Sequence, residues 1–186
     1  MHRDQRLNLG SGRSYDQAWT NLDITPDTNR DVVHDLNILP WPFEDDSFTE
    51  VQAIDVLEHL DDALGALVEL HRICLDGAHV KIVVPHFSSS NAYTDPTHQR
   101  ALRYFSLDIV TGEHTHDYYT RVRYRMRRRQ IIFQQRLINK FMRRDAARQP
   151  ALYEERWAWI VPAWLLIFEL EVLKPASGAP TTRHHG

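Results

Sequence analysis

Five short apolar runs crowd the first half of this chain, and one helical pattern separates the last two of them. Arg6–Leu9, Trp19–Ile24, Asp31–Leu36, Val51–Val56 and His79–Pro85 each have strand character and are bounded by turn or polar residues. Between the fourth and fifth, Asp61–Asp76 sets Leu64, Leu67, Val68, Ile73 and Leu75 at roughly helical intervals and ends on Asp76-Gly77, a stop signal. Strand, helix and strand in succession demand a parallel, right-handed crossover. The pattern therefore predicts an α/β sheet. The first connection is short, because only about eight residues, Gly12 to Trp19, precede the second run where a parallel crossover takes about a dozen or more. Either the first helix is reduced to a turn or one strand is misassigned. Asn37–Ser47, with Pro40 and Pro42, reads as a loop packed by Trp41 and Phe43.

After Pro85 the pattern changes. His86–Thr97 is polar, Gln99–Val110 can form a short amphipathic helix, and Thr111–Tyr119 is a loop with His114 and His116. Arg121–Arg127 alternates like a strand with arginines on one face, Ile131–Ile138 offers a further strand, and Phe168–Lys174 alternates as a last one. The expected organisation is one domain over 1–174, with an insert at about 86–130, and a flexible tail over 175–186.

Composition supports a single core: of 186 residues, 42% are hydrophobic and 25% charged. The N-terminus lacks a charged-then-apolar leader, so a cytoplasmic protein is expected. The lone Cys74 sits in the helical pattern and supplies neither a disulfide framework nor a thiolate metal site. Charge is segregated. Arg121–Arg148 holds eleven Arg or Lys residues and one acid, Asp145, in a chain whose net charge is −3.

The first run ends in Gly10-Ser11-Gly12 and the second in Asp23. A side-chain-free turn allows close backbone approach, and a carboxylate after the next strand can accept from both hydroxyls of a ribose. Tyr15 stands where a dinucleotide fingerprint needs its third glycine, and no Gly-Lys-Ser/Thr follows for a phosphate loop. A nucleoside ligand without a pyrophosphate remains.

Leu7–Gly12, Asn21-Leu22-Asp23, Val33–Leu36, Leu39–Phe48, Val56–Leu60 and Glu69–Gly77 leading into Val80–Pro85, with Glu169–Lys174 at the end, resemble in order the motifs of class I S-adenosylmethionine-dependent methyltransferases, particularly small members with a shortened first helix. The resemblance implies a Rossmann-like open, mostly parallel sheet with an antiparallel last strand. It also implies S-adenosylmethionine as cofactor. Gly10, Ser11 and Gly12 would lie against its methionine part and ribose, Asp23 would take the ribose hydroxyls, Asp35 the adenine amino group beside the Leu36 backbone, and Asp55 would face the methionine moiety. Asn8, which the resemblance also assigns to cofactor binding, occupies the position of an acid usual in the family, and Ser14 that of a common third glycine. Tyr93–His98 resembles inserts where the acceptor enters, which assigns Tyr93, Asp95 and His98 to substrate contact.

Methyl transfer to a hydroxyl needs a base with a near-neutral pKa, and His59, His86 and His98 are the candidates. His86, Asp95, His98, His114 and His116 have ligand chemistry, but no His-x-x-x-His spacing occurs among them, so no metal is expected. The arginines, with Tyr118, Tyr119 and Tyr124, invite an RNA-binding reading. An acidic protein with arginines on an edge strand disfavours nucleic acid as the partner. Trp157–Phe168 is twelve apolar residues interrupted by Pro162, too short to span a bilayer. It suits a core or homodimer contact and leaves open a peripheral membrane contact beside the arginines. The expected function is methyl transfer to an oxygen or nitrogen of a small-molecule or glycan-like acceptor. The alternative is a non-catalytic nucleoside-binding module that engages RNA or an anionic partner through Arg121–Arg129.

Overall fold

A computed structural model describes residues 5–26, 30–112, 119–134 and 139–175. His114, His116, Tyr118 and the tail beyond Pro175 lie outside the described residues. Seven strands form one sheet in the order β3-β2-β1-β4-β5-β7-β6. β1 (Arg6–Leu9), β2 (Thr20–Asp23), β3 (Val32–Val33), β4 (Phe48–Ile54) and β5 (Cys74–Pro85) pair in parallel. β7 (Leu165–Leu173) lies antiparallel between β5 and the edge strand β6 (Arg123–Ile132). This is the Rossmann-like, mostly parallel α/β sheet with an antiparallel last strand that the sequence anticipates. No described helix is long and apolar enough to cross a membrane.

Burial explains the central strands. Leu7 and Leu9 of β1, Val51 and Ala53 of β4, and Val80, Ile82 and Val84 of β5 are all buried, as are Leu166, Phe168, Leu170 and Val172 at alternate positions of β7. Each large apolar side chain so enclosed contributes about 1.5–3 kcal/mol. α1 (Ala63–Ile73) packs Ala66, Leu67, Leu70 and Ile73 into the same core. Its N-terminus is capped by Asp62, whose carboxylate accepts from the Gly65 N–H at 2.8 Å.

The short first connection is now accounted for: residues 10–19 contain turns and no helix, while β1 and β2 still pair in parallel. The Pro-rich stretch is a loop, with Trp41 buried in the core. Other expectations are corrected. The third strand shrinks to Val32–Val33, because it stands at the sheet edge and pairs with Leu22 and Asp23 alone. α1 ends at Ile73 rather than at Asp76-Gly77, and the chain enters β5 at once. Residues 75–78 stand against Thr49 alone, an excess of three, since Cys74 pairs with Phe48 and the next register pair is His79 with Glu50.

Gln99–Val110 is helical only at α3 (Asp108–Thr111), following the single turn of α2 (Asn91–Thr94). Ile131 and Ile132 end β6 rather than begin a new strand, residues 135–138 of the expected strand lie outside the described residues, and the segment between β5 and β6 runs over residues 86–122. α4 (Asn139–Arg148) and α5 (Pro150–Arg156) were not anticipated. They cover a second small core of Phe87, Phe133, Ala146, Tyr153, Ala158 and Ala163. The arginines of β6 do lie on an edge. Arg125 and Arg127 pair with Glu171, Arg128 with Glu169, and Arg129 with Asp108.

Candidate functional site

The strand order reverses between β1 and β4, and open parallel sheets bind ligands outside the carboxyl ends of strands at such a switch point. A cavity of about 230 Å³ lies there, and its walls include Gly10 after β1, Asp23 at the end of β2, Asp35 and Leu36 after β3, and Asp55 and Val56 after β4. Gly10 has φ +59°, and a Cβ on it would come within 2.5 Å of Val56 Cγ2. Only glycine fits both the backbone and the contact.

Asp23 is positioned by its own loop. The Gly12 N–H donates to Oδ2 and the Thr25 N–H to Oδ1, each at 2.8 Å. Burial pushes the Asp23 carboxyl up, but the bonds from Thr25 and Gly12 outweigh it and hold the group below its ordinary value. An ionised carboxylate oxygen can accept more than one bond, so both oxygens keep capacity for hydroxyl donors. Asn8 has a different task. Its Nδ2 donates to Ser14 O at 3.0 Å and Asn21 Oδ1 at 3.1 Å, so it ties the turn to β2 and does not line the cavity. Ser11 is buried, with its Oγ unpartnered among the described residues, and its N–H donates to Leu22 O. Asp35 accepts from the Asn37 N–H through Oδ1 at 2.9 Å, and the Leu36 carbonyl accepts from Trp41 Nε1.

A second cavity, about 450 Å³, adjoins the first and is walled by Asp55, Glu58, His59, Pro85, Asp95 and His98, among others. Asp55 and His59 line both cavities. Asp55 holds a left-handed backbone, φ +53°, just past β4. Burial raises its carboxyl pKa, against the opposing influence of His59 and His98. Glu58 was given no role by the sequence. It is 1% exposed, and neither carboxylate oxygen is hydrogen-bonded to another residue among those described. Burial pushes it up to about 7, with Asp55 and Asp95 adding repulsion and its own backbone N–H opposing. Burial and the neighbouring His98 ring lower His59. The signal for Glu58 was an acid inside an otherwise apolar turn, Val56-Leu57-Glu58, which spacing alone does not distinguish from a surface position.

The polar segment after β5 is fastened over this turn. The Gln99 N–H donates to Glu58 O at 2.8 Å, and Arg100 donates to the carbonyls of Leu57, Leu60 and Asp61. The fastening brings His98 to His59, ring centroids 4.5 Å apart at 72°. Asp95 lines the cavity, whereas Tyr93 is 61% exposed and lies outside the lining.

His86 is not brought to the site. It is fully buried, its Nδ1 is 2.8 Å from Ser88 Oγ, and its Nε2 stands 3.3 Å from Glu154 Oε1 without hydrogen-bond geometry. It lines neither cavity. Of the described members of the set considered for a metal, His86, Asp95 and His98, only Asp95 and His98 share a cavity.

No family model and no curated relative matches this chain. Among solved structures it is similar to a SAM dependent methyltransferase from Archaeoglobus fulgidus, with TM-score 0.60 and 17% identity over 89% of this chain and 85% of that one. It is similar also to an S-adenosylmethionine dependent methyltransferase from Mesorhizobium loti, with TM-score 0.55 and 13% identity over 91% of each chain. The cyclase SpnF matches at TM-score 0.57 and 12% identity over 92% of this chain and 75% of that one. The chain has the fold of S-adenosylmethionine-dependent methyltransferases, a fold that carries more than one chemistry.

Proposed function

We propose that the protein transfers a methyl group from S-adenosylmethionine to an oxygen or nitrogen atom of a small-molecule or glycan-like acceptor. The observation that carries this reading is the junction of two cavities at Asp55 and His59. One cavity fits the donor and the other has room for an acceptor, and together they fall within the ~300–1,000 Å³ usual for small-molecule sites. The residues present fit the donor: Gly10 lines the cavity with no side chain, and Asp23 presents two oxygens that each carry one backbone donor. Asp35 and Leu36 would hold the adenine end, and Asp55 would complement the cationic end.

The bound donor supplies an electrophilic methyl carbon on a sulfonium. This chain's residues do the rest. The walls of the second cavity align the acceptor atom, and a group at the junction removes its proton. His59, on the boundary, is the base this geometry favours, with His98 against its ring and Glu58 at about 7 as the adjacent proton acceptor. His86 supports the fold from the core.

The RNA-binding alternative is weakened by the arginines themselves, since Arg125, Arg127, Arg128 and Arg129 are each engaged with a carboxylate. Calorimetry with S-adenosylmethionine tests the donor. Replacing Asp23 with Ala removes a charged acceptor worth about 1.5–3 kcal/mol, so Kd is expected to rise about ten- to hundredfold. Incubation of labelled S-adenosylmethionine with cell extract then identifies the methylated product. Absence of donor binding overturns the proposal, and salt-dependent RNA affinity without a methylated product favours the binding module.

A further inference from the structure

We propose that Glu58, His59 and His98 bind one divalent first-row metal ion of the zinc or manganese class on the wall of the second cavity. Each of the three offers one ligand atom, and these atoms lie within 4.8 Å of one another. Ligands of a single tetrahedral ion stand about 3.4 Å apart, so side-chain shifts on the order of an ångström complete the set. Two imidazoles and one carboxylate are a donor set suited to Zn²⁺, Mn²⁺ or Co²⁺, and three protein ligands leave a position for water or an acceptor oxygen.

The hydrogen bonds around the rings fix their tautomers. His98 Nδ1 lies 3.2 Å from Ala92 O, which can only accept, so Nδ1 carries the proton and Nε2 the lone pair. Thr97 Oγ1 donates its one proton to Asp95 Oδ1 at 2.7 Å and must therefore accept from His59 Nδ1 at 2.9 Å. His59 is thus also left with a free Nε2. The chain Asp95–Thr97–His59 extends, through one hydroxyl, the carboxylate–histidine arrangement that orients metal-binding imidazoles. Glu58 supplies the independent observation. Its carboxylate is buried on the cavity wall and has no partner from another described residue, a costly arrangement that a cation would relieve. Asp55 and Asp95 on the same wall add negative charge.

The sequence predicts no metal because the ligands come from two distant segments, Glu58-His59 and His98, and show no helical spacing. The ion's role rests on the methyl-transfer reading: with His59 Nε2 and Glu58 taken up as ligands, the ion would replace His59 in easing proton loss from an acceptor oxygen that it holds, a Lewis-acid task. Binding of the ion itself does not depend on that reading.

The test uses the full chain stripped with a chelator and titrated with Zn²⁺ by calorimetry and with Co²⁺ by visible absorption, with no donor or acceptor present. One ion per chain is expected, with a Co²⁺ spectrum of nitrogen and oxygen ligation. His59→Gln and His98→Gln should each weaken it by more than about a hundredfold, beyond the loss expected for an outer partner. Thr97→Val, whose altered group is not a ligand, should weaken it about ten- to hundredfold and serves if a histidine variant fails to fold. Absence of saturable binding overturns the proposal. So does binding unchanged in the histidine or Thr97 variants, which would assign the ion to other histidines such as His184 and His185. Separate titration with S-adenosylmethionine shows whether the donor reading stands when the metal proposal falls.

Discussion

Glu69 joins the Pro-rich loop to α1 through three donors. Its Oε1 accepts from the Trp41 N–H at 2.7 Å and from Arg72 Nη2 at 2.6 Å, and its Oε2 from Arg72 Nε at 3.0 Å. Replacing Glu69 with Ala leaves the buried Trp41 N–H without its acceptor and takes one of two carboxylates from Arg72, which keeps Asp45, and a loss of about 1–3 kcal/mol is expected by urea denaturation. Burial pushes the Glu69 carboxyl up, but Arg72 and Trp41 outweigh it and the folded-state pKa is depressed. The stability that Glu69 contributes is therefore present above its unfolded value of 4.5 and is lost as pH falls through the lower folded value. The difference between wild type and the Ala variant should shrink accordingly across an acid series. Residues at strand ends, such as Gly10 and Asp23, were legible because strand and turn signals locate them. Glu58 was not, since burial of an acid depends on the segment after β5 folding over it through Gln99 and Arg100.

That segment shows why elements beyond β5 were harder to read. Gln99–Val110 has an amphipathic pattern, yet tertiary bonds replace helical ones: Arg100 holds the carbonyls of the β4–α1 turn, and the Tyr104 N–H donates to Glu154 Oε1 at 2.7 Å. Propensity yields to such partners when they are buried. The apolar stretch Trp157–Phe168 likewise divides into a turn and the start of β7. Glu154 fastens α5 to the segment after β5, reaching Arg103, Tyr104 and the neighbourhood of His86. Glu154→Ala is expected to cost about 1–3 kcal/mol by thermal or chemical unfolding, because it removes the buried carboxylate that accepts from the Tyr104 N–H and from Arg103. His86→Asn should lower stability while the Kd for S-adenosylmethionine stays within about twofold, the outcome for a core histidine outside both cavities. A loss of donor affinity with stability intact would return His86 to the site.

Across the whole molecule, one sheet supplies both cavities from the ends of its parallel strands, so a ligand held there ties several strands together. S-adenosylmethionine at a hundredfold excess over Kd should add about 2.7 kcal/mol to the folded state, a rise in Tm of about 5–10 °C by calorimetric scan, and at the same concentration Asp23→Ala should reduce this to about 0.4–1.4 kcal/mol. The parallel sheet was legible as a whole because its strands read as apolar runs, while the position of the helices over β6 was not. Asp55 carries one consequence for this architecture. A non-glycine residue at φ +53° is strained, and Asp55→Gly should raise the unfolding free energy by up to about 1 kcal/mol while donor affinity falls. An engineer ranking positions by stability alone would overwrite Asp55 early, and would erase one of the two residues that the cavities share.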